Sequence, residues 1–352
     1  MAQPLELWLF DDAPILGGAE VFALRLARSL VKRGSAQPRI VCPGDTEMAQ
    51  RCAAAGIAHV AATFPPLLPY SAPRWPGGVL RTRLLLERAG SGAIAIGNTA
   101  RAQAYVSAAA LTFRRRPRIV QLIHDQHTIG RRSGRSAFRR VGALVAVGGN
   151  VADACRRALP GVPIDQANLF LDPGEVPSVP PHPAGARPVV GVLTRLIPEK
   201  GVLEVVEELA GVDSWSSARI AGRAQDPGYA ERVRRRIESL GLGDRIRLIG
   251  EIEDLRSFFA AIDVLIVPST GTEGQGFAIV EALWHDRPCL VRRSALSAGD
   301  FNGLPVLPFE DSAGLDRGLR ELPGRAVPAD VVRRRFGADQ ALDAILRAAG
   351  RS

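Results

Sequence analysis

Leu5–Phe10 is an apolar run interrupted only by Glu6, too short for a helix and suited to a strand. A turn rich in Gly and Pro follows (DDAPILGGAE). From Glu20 to Lys32 the apolar residues Val21, Leu24, Leu26, Ala27, Leu30 and Val31 then recur near helical spacing. The alternation continues. Arg39–Cys42 reads as a strand and Thr46–Ala55 as a helix stopped by Gly56; Ala93–Ile96, Arg118–Ile123 and Ala143–Val147 read as further strands. Between residues 64 and 88 Pro, Trp, Leu and Arg mix without a clear period. The segment 177–188 (PSVPPHPAGARP) is dense in proline, which fixes φ and removes a backbone donor, and it predicts a linker.

Beyond the linker a second series begins. Strands are predicted at Val189–Leu193, Ala218–Ala221, Ile246–Ile249 and Val264–Val267, with helices over Leu203–Leu209, Tyr229–Leu240 and Phe277–Trp284 and a last helix over Asp339–Ala349. Alternating strands and helices on both sides of a linker predict an α/β chain of two Rossmann-like, doubly wound domains with a cleft between them. The divisions are 1–176, the linker 177–188, 189–330, and a C-terminal segment 331–352 returning toward the first domain. Ligands of such sheets sit beyond the carboxyl ends of the strands, so the chemistry belongs in the loops after each strand.

Two loops carry it. Glu273-Gly-Gln-Gly-Phe-Ala-Ile-Val-Glu281 follows the strand Val264–Val267, with Glu273 in the loop and Glu281 about one turn into the next helix. Gly274 and Gly276 allow close backbone approach, and the helix N-terminus offers amides to a phosphate. Two carboxylates so placed could hold the vicinal hydroxyls of a ribose and a sugar across a diphosphate. Taken alone, the pair reads more simply as a helix-start acid and a solvated helix glutamate. The second loop is Thr194-Arg195-Leu-Ile-Pro-Glu-Lys200-Gly201, directly after the strand Val189–Leu193. Arg195 and Lys200 could neutralise a diphosphate leaving group; a lone Glu199–Lys200 turn usually reads as solvated surface.

Several classes are excluded. The chain has no GxGxxG, no Gly-Lys of a phosphate loop and no GxSxG. Cys42, Cys52, Cys155 and Cys289 lack metal spacing and read as reduced thiols. His124-Asp-Gln-His127 and Asp11-Asp12 are too sparse for a metal site, and none is predicted. No apolar window approaches the ~18 residues of a membrane span, and the N-terminus has no signal-peptide pattern, so a cytoplasmic location is expected.

Composition is globular, at 46% hydrophobic and 23% charged residues, and disorder is excluded as the dominant state. Charge adds an asymmetry. Residues 1–182 hold 22 Lys and Arg against 12 Asp and Glu, a net of +10, whereas residues 183–352 are near neutral. The excess concentrates in Arg114, Arg115, Arg116, Arg118, Arg131, Arg132, Arg135, Arg139 and Arg140, against Asp125 alone. With the apolar Leu67–Leu86 stretch nearby, such a surface suits an anionic membrane leaflet, at about 1 kcal/mol per cation. An arginine-biased, solvated surface is the equal alternative. With 5% aromatic residues and no recognisable module, nucleic acid is not a predicted partner.

Taken in order, LGGAEVFALRLARSLVKRG, VGVLTRLIPEKGV, RLIGEIEDLRSFFAAIDVLIVPS, EGQGFAIVEAL and RPCLV make this chain similar to the retaining glycosyltransferases of family 4, which have the GT-B fold. The resemblance implies a nucleoside-diphosphate sugar donor and a glycan or lipid-linked acceptor, with no cofactor and no metal. It places Glu281 on the ribose, Glu273 on the transferred sugar, and Arg195 and Lys200 on the diphosphate. Ile252 edges the base, and Gly276 and Phe277 line the donor. Gly17 and Gly18 let the first-domain loop approach the phosphates, and His124 lies near the transferred sugar. It further implies front-face displacement, the departing phosphate helping to deprotonate the acceptor. Asp286, the AGRAQD segment and Gln275 depart from the family's usual residues, which puts donor identity in doubt. A nucleotide-sugar epimerase, a phosphorylase or a non-catalytic subunit on the same fold would share much of this pattern.

Overall fold

The computed structural model describes residues 5–14, 16–34, 36–90, 92–115, 117–125, 129, 143–171, 187–271 and 274–351. The chain divides into two units, one up to residue 172 together with the segment from Ala338 on, the other from 173 to Gly337. Most of the predicted linker 177–188 lies outside the described residues.

The first unit is built on a parallel sheet of seven strands: β1 (Leu5–Phe10), β2 (Ala36–Cys42), β3 (Ala58–Ala61), β4 (Ile94–Gly97), β5 (Arg118–Ile123), β6 (Ala143–Val147) and β7 (Ile164–Ala167). Their order is β3-β2-β1-β4-β5-β6-β7, so the winding reverses between β1 and β4. The central strands are predominantly apolar because both faces are covered, as in any parallel sheet wound with helices; β6 is apolar throughout, and β5 carries Gln121 buried among apolar residues. One face packs Trp8, Phe10, Ala95 and Ile119 against α4 (Ala100–Ala110) and α3 (Trp75–Ala89). Helix α1 (Gly18–Arg33) follows β1 and buries Phe22, Leu26 and Leu30.

The second unit repeats the plan with six parallel strands: β8 (Val189–Leu193), β9 (Ser217–Ala221), β10 (Ile246–Gly250), β11 (Val264–Val267), β12 (Cys289–Arg292) and β13 (Val306–Phe309). The order β10-β9-β8-β11-β12-β13 reverses between β8 and β11. Fold and topology are those of the two-domain GT-B class.

Two findings differ from the sequence reading. Residues 69–89, left irregular by it, form a 3-10 turn (Pro69–Arg74) running into α3. That helix buries Gly78, Thr82 and Leu86 and exposes Leu80 and Leu84, so small and polar residues sit inward and the hydrophobic period is masked. The segment 331–352 is not one element. A helix over Ala329–Phe336 stays with the second unit, and the chain turns at Gly337, where a Cβ would lie 2.4 Å from the Arg333 carbonyl oxygen. Only the last helix, Ala338–Arg351, belongs to the first unit. It packs along β5, β6 and β7, and Gln340 completes the β7 edge: its Oε1 accepts from the Asn168 N–H at 3.0 Å and its Nε2 donates to the Gln166 carbonyl at 3.3 Å.

In the second unit a dense set of polar contacts centres on Arg292, at the end of β12. Its guanidinium binds Glu208 in a two-pronged pair at 3.1 and 2.9 Å, stacks over Phe309, and donates from Nε to the Pro268 carbonyl at 3.0 Å. Both side chains are mostly buried, at 12% and 16% exposure, so removing one partner strands the other's charge. We expect Glu208→Ala to cost roughly 3 kcal/mol and to lower the unfolding temperature clearly in calorimetry, whereas breaking the exposed Arg234–Glu231 pair should leave that temperature almost unchanged.

Candidate functional site

The loops at the reversal of the second sheet are sewn together through backbone. After β8, the Thr194 N–H donates to the Ala221 carbonyl and the Leu196 N–H to the Arg223 carbonyl, both at 2.9 Å; after β9, the Gly222 N–H donates to the Gly250 carbonyl at 2.8 Å. Gly222 is required, since a Cβ there would stand 1.7 Å from the Thr194 oxygen. Arg195 is exposed at the head of this loop, and its Nη1 donates to the Gln225 Oε1 at 2.9 Å. Ile252 follows β10 and is half-buried.

Pro198–Lys200 forms a 3-10 turn that leads to Gly201 at φ +64°, from which α6 (Val202–Ala210) departs. A Cβ on Gly201 would lie 2.1 Å from the Pro268 oxygen, so the loops after β8 and β11 approach to backbone contact here. The Thr270 N–H donates to the Glu199 carbonyl at 3.1 Å, and Arg292 holds Pro268 from the other side. The loop bearing Lys200 is thereby fixed against the loop that carries the glutamate motif. Within that motif Glu273 lies outside the described residues. Gly276 stands at φ +81° before α9 (Phe277–Trp284) and provides no side-chain cap, while its carbonyl accepts from the Ile279 N–H at 3.2 Å. Glu281 is 8% exposed. It is therefore not the solvated helix glutamate of the simpler reading, and an interior carboxylate of this kind is retained only where it is bound.

In the first unit the reversal between β1 and β4 holds a polar network. Asp11 follows β1 and Asn98 follows β4, and the two strand ends are joined by the Asn98 N–H donating to the Phe10 carbonyl at 2.9 Å. The Asn98 Nδ2 donates to Asp11 Oδ2 at 2.6 Å and to the Ala19 carbonyl at 3.1 Å. Its Oδ1 meets the Nε2 of His124, at the end of β5, at 2.8 Å. Phe22 packs edge-on against the His124 ring at 5.4 Å. Burial pushes the imidazole down to about 4, so it is neutral at physiological pH. Burial and the neighbouring Glu20 raise the Asp11 carboxyl from 3.8 to about 7. Gly17 caps α1, and its N–H donates to Glu20 Oε2 at 2.6 Å; a Cβ there would meet the same oxygen at 2.9 Å. Gly18 is the first residue of α1.

The structure thus groups Arg195, Lys200, Ile252, Gly276, Phe277 and Glu281 at one end of the second sheet, and Gly17, Gly18 and His124 at one end of the first. Asp11, Glu20, Asn98 and Arg292 were missed by the sequence reading. The available signal was a polar residue closing each apolar strand, as in IAIGN and LWLFD. His127 and most of the basic run lie outside the described residues. Among the described residues no three His, Cys, Asp or Glu side chains gather as a metal-holding group, and no helix is long and apolar enough to cross a membrane.

Residues 187–322 match the family described as "Glycosyl transferases group 1", and residues 16–166 match "Glycosyltransferase Family 4". The chain belongs to this glycosyltransferase family. No curated protein sequence matches it. Among solved structures it is similar to HepE of Anabaena in complex with UDP and glucose, at 18% identity over 97% of this chain and 98% of that one, TM-score 0.79. A glycosyltransferase from Rickettsia africae superposes with a TM-score of 0.80, at 15% identity over 99% and 98% of the two chains. The lipopolysaccharide outer core galactosyltransferase WaaB superposes at 0.75, with 15% identity over 97% and 99%.

The raised Asp11 has a consequence for stability. A carboxyl whose folded pKa exceeds its unfolded one stabilises the fold most at low pH, and that contribution is lost as pH rises through about 7. Asp11→Asn removes this dependence. Relative to wild type, the variant should gain about 2 kcal/mol between roughly pH 5 and pH 7, measured by urea unfolding at both.

Proposed function

We propose that this chain transfers a sugar from a nucleoside-diphosphate sugar to an acceptor hydroxyl with retention of anomeric configuration, in the assembly of a cell-surface glycan or glycolipid. The observation that carries the reading is the pinning of the Arg195–Lys200 loop against the glutamate loop at the reversal of the second sheet. Arg195 and Lys200 bring fixed positive charge to a departing diphosphate, a role that needs no metal. Glu281 takes the ribose hydroxyls, Glu273 the transferred sugar, Ile252 the edge of the base, and the amides beginning α9 a phosphate oxygen. His124, neutral in its network, serves the transferred sugar, and the first unit takes the acceptor. HepE, seen with UDP and glucose, supports a uridine nucleotide as the first donor to test.

The test is thermal unfolding with UDP, GDP, ADP and dTDP, on wild type and on Glu281→Ala. At a hundred times its dissociation constant a nucleotide adds about 2.7 kcal/mol. One base should stabilise wild type and not the variant; no response to any of the four would defeat the donor assignment.

A membrane-proximal acceptor is favoured by one surface. Leu80 and Leu84 on α3 are exposed, as are Leu67 and Leu68 before it and Leu111 at the end of α4. A shallow apolar groove of about 460 Å³ opens among Trp75, Pro76, Val79 and Leu80. Exposed Arg74, Arg81, Arg88, Arg114 and Arg115 lie on the same elements or just beyond them. Apolar side chains rimmed by arginine suit the headgroup region of an anionic leaflet. The protein should float with vesicles containing anionic lipid and not with neutral ones, and Leu80→Glu with Leu84→Glu should weaken partition roughly a hundredfold. Equal recovery with both vesicle types would remove the membrane from the reading.

A further inference from the structure

Asn98 is 2% exposed and Asp11 fully buried, and both are placed by strand ends that adjoin at the reversal of the first sheet. A side-chain amide has one accepting end and one donating end. At Asn98 the choice between them is forced by the Ala19 carbonyl, which can only accept and lies 3.1 Å from Nδ2. The Asp11 carboxylate, 2.6 Å from the same nitrogen, favours the same orientation. The oxygen end, Oδ1, must then face His124, and at 2.8 Å it requires a proton on Nε2. A neutral imidazole carries one ring proton, so Nδ1 keeps its lone pair, and among the described residues nothing hydrogen-bonds to it.

We infer that Asp11 and Asn98 are positioning residues that hold His124 in its Nε2–H form, so that its free nitrogen, Nδ1, accepts a hydrogen bond from a hydroxyl of the bound sugar or acceptor. The inference rests on the placement of His124 in the sugar site under the proposed function. The Ala19 carbonyl and the Asp11 carboxyl orient the amide, the amide orients and polarises the imidazole, and the imidazole presents an acceptor of defined direction. The edge-on contact of Phe22 at 5.4 Å limits tilting of the ring. Of the other charged groups nearby, Asp125, next in the chain, favours the charged imidazole but is outweighed by burial. Glu20 on α1 bonds Gly17, Asp12 is paired with Arg101 on α4, and the Cys42 thiol at the end of β2 is held protonated by burial. The Asp11 Oδ1 is occupied by the Ala13 N–H at 2.9 Å, which leaves Oδ2 for Asn98.

The experiment is long-range proton–nitrogen NMR of the histidine rings in the full chain between about pH 5 and 8, where free imidazoles titrate. His124→Gln identifies the His124 signals. No nucleotide is needed, so its outcome is independent of the nucleotide panel. Wild type should show the Nε2–H form alone and no titration over this range. Asn98→Leu removes the amide, and Asn98→Ser replaces it with a hydroxyl that donates or accepts and fixes neither form. In both, the ratio of the two neutral forms should fall by roughly fivefold or more. If Asn98→Leu does not fold, Asn98→Ser decides. An Nδ1–H ring in wild type, or an undiminished ratio in the folded Asn98 variants, would overturn the inference.

Discussion

A sheet of parallel strands must return each connection across one of its faces, and where the winding changes direction two adjacent strands send their loops apart. Both sheets here obey this constraint at their middle, between β1 and β4 and between β8 and β11. Each functional group described above depends on it. In the first unit the gap is filled by side chains reaching toward each other from separate strand ends. In the second it is closed by backbone, with Gly201 present because no Cβ fits between the loops after β8 and β11, and Gly222 ties the neighbouring β8 and β9 loops in the same way. Arg292 extends the second arrangement by holding Pro268 in place from the next strand over.

The strands were the most legible part of the chain. Leu5–Phe10, Arg118–Ile123, Ala143–Val147, Val189–Leu193 and Val264–Val267 have the same limits in sequence and structure, because strands buried on both faces are predominantly apolar. Helix α3 was illegible for the opposite reason: its inward face is Gly, Thr and one Leu, and its leucines point outward. Candidate residues of the second unit were legible because they sit within short stretches of chain. The Asp11–Asn98–His124 network was not, since its members are separated by 87 and 26 positions and only the strand order joins them. His124 was recognised alone, without the groups that define its protonation.

Net charge also proved a poor guide to the interior. The first half of the chain carries an excess of +10, yet the end of its sheet is acidic, with Asp11, Asp12 and Glu20 all buried there. Arginine covers the outside, while these carboxyl groups are enclosed, and at Asp11 burial raises the pKa. The two populations act at different ranges: the surface on whatever approaches, the interior on the one imidazole it orients.

The last helix has a consequence for how the chain matures. Ala338–Arg351 belongs to the first unit, covering β5 to β7 and completing the β7 edge through Gln340, although 165 residues of the second unit are made before it. Domains form as they leave the ribosome, in chain order. The second unit, continuous in sequence, has all of its parts before the first unit does. The first sheet waits with strands β5 to β7 uncovered until the helix Ala338–Arg351 has been made, after the whole of the second unit.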